Sequence, residues 1–249
     1  MTKDPLAKAR SDLSILIHLH IPKTAGRSLN TLLRPLYSNE AQVHATGASP
    51  ERKIQEMSAE ARDGIRLVAG HCSHGVHLLL PHPARYLVIL RAPGPRLLSL
   101  YKYIFRTPSH PLHPILHRGA LQFGDFLELA EDRPHLRAEL HNGQMRRIAG
   151  DMTPEGIGRE DELLNLACAH LASPNMTFGF TEQFDRFVAK LKTEGILPDA
   201  TPPQVNVAPP GLNFERACAT LSRSQKERLK QYCAYDERML AFAYGQAAG

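Results

Sequence analysis

Tryptophan is absent from this 249-residue chain, cysteine occurs only four times, and neither long apolar runs nor long runs of like charge occur. Each scarcity removes a class of protein. Cys72, Cys168, Cys218 and Cys233 are widely spaced and form no CxxC unit, so neither a disulfide framework nor a zinc knuckle is built from them, and reduced thiols are expected. No stretch approaches the ~20 apolar residues that cross a bilayer. The first apolar segment, Ile15 to Ile21, is interrupted by His18 and His20 and follows the charged stretch MTKDPLAKARSD, which is not the pattern of a signal peptide. With no membrane anchor, a cytoplasmic location is expected. The net charge is +5 and the pI near 9.1, but basic runs extend no further than pairs such as Arg146-Arg147. That distribution argues against a nucleic-acid-binding tail and for a local anion site.

What is present is ordinary globular material, with 43% hydrophobic and 22% charged residues. It suits one domain over residues 1–249, with 1–12 expected as a flexible lead. Segments at Ser14–Ile21, Ile65–His71, Arg85–Arg91 and Met176–Phe180 read as strands, and the near-continuous apolar run of the third suits a parallel sheet buried on both faces. Helix formers at Ser28–Leu36 and Pro50–Asp63 predict crossovers between parallel strands. Leu97, Leu98, Tyr101, Ile104 and Phe105 recur at helical spacing after Pro95, and the aromatics there read as core. Further helical patterns lie at Phe123–Glu131, Ala138–Ala149, Glu160–Leu171 and Glu182–Lys192. A C-terminal helix follows, opened by a capping box at Ser224 and Glu227. The proline-bearing Arg106–Gly119 reads as a long loop over the site, and Leu197–Pro210 as a connection. The expected fold is α/β: a P-loop-like three-layer fold with a mostly parallel central sheet flanked by helices.

The stretch His18 to Leu29, HLHIPKTAGRSL, runs a strand into a short loop and then a helix. Loop amides and the positive end of a helix dipole form a phosphate cradle. The nucleotide-triphosphatase version reads GxxxxGK[ST], but Ile21 stands in place of its first glycine and Arg27 in place of its lysine. Lys23 comes early in the loop instead, where its ammonium would reach back over the anion as a point charge beside a leaving oxygen. The histidines His71, His74 and His77, and again His110, His113 and His117, recur at short spacing. Neither set carries HExxH or acidic ligands, and among thirteen histidines chance clustering is the better explanation, so no metal is expected.

The loop resembles the 5′-phosphosulfate loop of carbohydrate-type sulfotransferases that use 3′-phosphoadenosine 5′-phosphosulfate (PAPS), a family that includes uronyl 2-O-sulfotransferases and bacterial relatives and whose usual wording is HIPKTAGTS. A second element, RAPGPRLLSLY from Arg91 to Tyr101, is similar to that family's R-[DN]-P-x-x-R-x-x-S-x-Y. Supporting matches are Gly70-His71, Asn142-x-Gln144-x-Arg146 with Gly150, Phe178 to Asp185, Asn206-Val207 and Tyr235-Asp236. Departures are Arg27 for the usual Thr, Ala92 and Pro95 for polar residues, and Ala69 where some relatives carry a first histidine before His71.

The resemblance implies transfer of a sulfuryl group from PAPS to an acceptor hydroxyl, most plausibly on a saccharide, leaving adenosine 3′,5′-bisphosphate. Pro22, Lys23, Thr24, Ala25, Gly26, Arg27 and Ser28 would hold the 5′-phosphate, and Arg91 and Ser99 the 3′-phosphate. Lys23 would stabilise the leaving oxygen and His71 would act as general base, with His74 and His20 in reserve. Arg96, Gln144 and Arg146 serve either the ligands or the fold. A phosphotransferase with a divergent loop is the alternative, predicting Mg²⁺ dependence and an acidic ligand at a strand end. A non-catalytic nucleotide-binding homologue is the third.

Overall fold

A computed structural model describes residues 14–45, 49–199 and 213–248. The lead 1–12 and Asn206-Val207 lie outside these residues. The chain divides into two compact units, one holding residues 14–90 and 171–199, the other 91–170 and 213–248. Among the described residues no helix is long and apolar enough to cross a membrane.

The protein is α/β, with a five-stranded, all-parallel sheet flanked by helices. Its strands β1 (Ile15–Leu19), β2 (Gln42–His44), β3 (Leu67–Gly70), β4 (Ala84–Leu90) and β5 (Met176–Phe180) lie in the order β2-β3-β1-β4-β5. Helices α1 (Gly26–Leu33), α2 (Pro50–Gln55) and α3 (Ala59–Asp63) fall between β1 and β4. After β4 come α4 (Pro93–Arg106), α5 (His113–Arg118), α6 (Phe123–Leu129), α7 (Pro134–Leu140), α8 (Gly143–Ala149) and α9 (Glu160–Leu171). Helix α10 (Phe184–Thr193) follows β5, and α11 (Phe214–Ala219) and α12 (Arg223–Ala248) close the chain.

In the first unit every residue of β1 and of β3 is buried, which is why neither shows a period-two pattern. One sheet face, with Leu16, Leu67 and Leu87, packs with Leu29 of α1 and with Phe187 and Leu191 of α10. Each such side chain contributes about 1.5–3 kcal/mol by leaving water. Gly179 of β5 makes the close approach possible, since a Cβ there would stand 2.3 Å from the Phe187 ring. Three-residue β2 escaped prediction because it is too short to show a period, yet it pairs from Gln42↔Leu67 to His44↔Ala69.

The second unit packs Leu97, Leu98, Phe126, Leu127, Leu140 and Tyr232 into its own core. Tyr101, Tyr103 and Phe105 pack against that core, and the Tyr101 hydroxyl donates to the Leu121 carbonyl at 2.9 Å.

Several expected elements differ in detail. Pro50–Asp63 is two helices because Ser58 caps the second by accepting from Ala61 N. Ala138–Ala149 breaks at Asn142, whose φ of 52° is left-handed. The expected loop Arg106–Gly119 contains α5, with Pro114 in its first turn, where a missing N–H costs nothing. The C-terminal capping box is Ser222 with Gln225 rather than Ser224 with Glu227: Gln225 N donates to Ser222 Oγ at 3.2 Å and Ser222 N to Gln225 Oε1 at 3.1 Å.

Candidate functional site

Strand order reverses between β1 and β4, which are neighbours: the chain leaves β1 toward β2 at one edge of the sheet, while β4 is followed in the sequence of strands by β5 at the other. Open parallel sheets bind ligands beyond the carboxyl ends of their strands at such a switch point. The loop Ile21–Ala25 leaves β1 there.

Two residues of this loop adopt a conformation that side-chain-bearing residues avoid, Lys23 at φ 70° and Ala25 at φ 63°, with Thr24 between them. Alternation of handedness turns successive backbone N–H groups to one side and makes a concave anion nest. Each left-handed non-glycine residue costs on the order of 1–3 kcal/mol, so the surroundings must hold the loop in shape. One restraint is the Thr24 hydroxyl, buried and donating to the Ile21 carbonyl at 2.9 Å. That hydroxyl proton is thereby engaged inside the loop. Ala25 caps α1 without a side-chain hydrogen bond, and no acid lies in the helix's first turn, so the helix's own first turn leaves the positive end of the dipole uncompensated. The nest, the dipole and Lys23 together fit a phosphate or sulfate group. Lys23 and Ser28 are half-buried and Arg27 is exposed.

Gly26 is needed for a reason the motif does not state. A Cβ on it would lie 1.9 Å from His20 Cδ2, so the His20 imidazole rests on the first turn of α1. That ring stacks on His18 at 5.3 Å between centroids and meets His71 at 4.5 Å. His18 is buried, and its Nδ1 donates to Asn30 Oδ1 of α1 at 2.5 Å. Burial lowers its pKa from 6.5 to about 4 against the opposing pull of Asn30, so it is neutral at pH 7.

His71, exposed just beyond β3, has its Nδ1 2.8 Å from the His20 carbonyl. A carbonyl only accepts, so Nδ1 carries the hydrogen and the lone pair of the neutral ring sits on Nε2. The segment after it is pinned by the Tyr86 hydroxyl, which accepts from Gly75 N at 3.1 Å and His77 N at 3.3 Å and donates to His77 Nδ1 at 2.8 Å. The His74 ring stacks on Tyr86 at 4.8 Å. Of the three expected base candidates, His74 and His77's neighbourhood thus serves the turn, His20 lies against the loop, and His71 offers an oriented nitrogen. Among the described residues no group of three His, Cys, Asp or Glu side chains is arranged to hold a metal.

In the second unit, Arg91 is fixed through its backbone. The Gln144 side chain accepts from Arg91 N at 3.0 Å and donates to Arg91 O at 2.8 Å. Gln144 in turn donates to buried Asp236, which also accepts from Met145 N at 2.7 Å. Asn142 Oδ1 accepts from Tyr235 N and Asp236 N at 2.8 and 3.2 Å. Burial pushes the Asp236 carboxyl up, while Arg96 and these amides pull it down. Arg96 is fully buried and donates to the Glu139 side chain and carbonyl, both at 2.9 Å, which assigns it to the fold. Arg146 is likewise buried and donates to the carbonyls of Asp151 and Thr153. Ser99 sits half-buried on α4.

The Asn142, Gln144 and Tyr235-Asp236 matches therefore share one task, bracing the Arg91 backbone, that their separation in sequence hides. Asn30 and Tyr86 carry no motif signal at all. No protein-family model and no curated protein sequence matches the chain.

Proposed function

We propose that this protein is a PAPS-dependent sulfotransferase acting on a hydroxyl acceptor, most plausibly of a carbohydrate or glycoconjugate. The observation that carries the reading is the loop after β1, where Lys23 and Ala25 are held left-handed around Thr24 at the switch point of a parallel sheet.

PAPS, when bound, supplies the sulfuryl group and a bisphosphate leaving group. The amides from Thr24 to Ser28 and the Ser28 hydroxyl hold the 5′-phosphate, and Arg91 and Ser99 take the 3′-phosphate. Lys23 places its ammonium at the bridging oxygen and neutralises charge developing there. His71 Nε2 accepts the proton of the attacking hydroxyl, and its imidazolium is held in place by the Nδ1–H bond to His20 O.

Calorimetric titration with adenosine 3′,5′-bisphosphate, with adenosine 5′-phosphate as control, tests the donor assignment. Wild-type protein is expected to prefer the bisphosphate by at least tenfold and Arg91→Ala to lose that preference. Equal affinity for the two nucleotides in wild-type protein overturns the reading.

A further inference from the structure

The second unit carries a groove of about 590 Å³ between the start of α4, α11 and one stripe of α12. Its floor is apolar: Leu229, Cys233 and Leu240 are buried there, and the Phe214 ring closes one side against Gly94, where a Cβ would stand 2.2 Å from it. Pro93 and Pro95 in the α4 wall have no N–H, which leaves that turn of wall poor in hydrogen-bond donors. Charge lies only at the rim, and it is graded. Lys226 and Lys230 stand one helical turn apart at one end, and Glu237 lies ~10 Å further along α12. The Lys226 ammonium acts on the Cys218 thiol, opposing the upward push of burial, which places that charge beside the groove.

We propose that this groove binds a small amphipathic anion, an apolar chain or ring system bearing a single carboxylate, sulfate or phosphate, with the head group at Lys226 and Lys230 and the body along Pro93–Pro95, Phe214 and Leu240. The volume falls within the roughly 300–1,000 Å³ of small-molecule sites, whereas a partner protein covers about 800 Å² per side. Apolar walls with a few convergent polar groups are the usual composition of such sites. The carboxylate of Glu237 repels an anionic head from the other end and so fixes the direction in which the ligand lies. Neither Lys226 nor Lys230 belongs to the proposed nucleotide site, although the Pro93–Pro95 wall lies between Arg91 and Ser99 in sequence, so nucleotide competition is one arm of the test.

Decanoate, titrated below its micelle concentration into the full-length protein, is the probe, with decanol and decyltrimethylammonium as controls for the head group. Saturable binding of one decanoate is expected, weakened at least tenfold in the exposed double variant Lys226→Ala/Lys230→Ala and by the groove-filling Ala241→Phe, with both controls binding at least tenfold more weakly. Adenosine 3′,5′-bisphosphate is expected not to displace it. Absence of saturable binding, affinity unchanged in the lysine double variant, equal binding of decanol, or displacement by the bisphosphate overturns the proposal. The last outcome assigns the groove to nucleotide, whereas failure of the bisphosphate titration alone leaves the groove's own test intact.

Discussion

A methyl group added at Gly26 lands 1.9 Å from the His20 ring, so this residue reports directly on the imidazole row beside the loop that follows β1. Gly26→Ala is expected to displace that ring at a cost of about 1–3 kcal/mol, lowering the melting temperature by ~5 °C and weakening bisphosphate binding, as calorimetry and thermal unfolding will show. In the proposed mechanism Lys23 and His71 have separable roles. Lys23→Ala should reduce turnover by about 10²–10³, the loss typical when one donor at a developing oxyanion is removed, with a smaller effect on nucleotide affinity. His71→Ala should leave bisphosphate affinity unchanged and remove the acidic limb of the rate profile. Full turnover in His71→Ala would send the base assignment elsewhere.

At the scale of elements, α8 and α12 meet in the network that holds Arg91. Gln144 makes two hydrogen bonds to the Arg91 backbone and a third to Asp236, so Gln144→Leu should collapse the preference for bisphosphate over adenosine 5′-phosphate while costing about 1–3 kcal/mol of stability. Asp236→Ala does more, because it removes a carboxylate 3.9 Å from the fully buried Arg96 guanidinium. Loss of one partner of a buried charge pair costs about 3–5 kcal/mol, although Glu139 still holds Arg96. Chemical denaturation should therefore show a larger midpoint shift for Asp236→Ala than for Gln144→Leu. Equal shifts would mean that Glu139 alone carries Arg96.

At the scale of the whole molecule, His18 ties stability to pH. Its pKa falls from 6.5 in the unfolded chain to about 4 in the fold, so the unfolded state binds more protons between those values. The stabilisation is complete above about pH 6.5 and is lost progressively as pH falls to about 4, amounting to about 3 kcal/mol. A melting-temperature profile should decline across that window, and His18→Gln should flatten the decline. The class of fold was legible in the sequence, since short apolar runs such as those at β3 and β4 suit strands buried on both faces, and so were the two motifs behind the proposed donor site, since both are local. The sequence also missed much, for physical reasons. Element ends shifted because a cap depends on which of two nearby serines, Ser222 or Ser224, finds its partner. Strand β2 exists only through its pairing with β3. The left-handed turns at Lys23 and Ala25, the tautomer of His71 and the brace on Arg91 depend on partners such as His20, Asn142 and Asp236. Those atoms meet only once the sheet is paired or α8 is packed on α12, so local sequence cannot specify them.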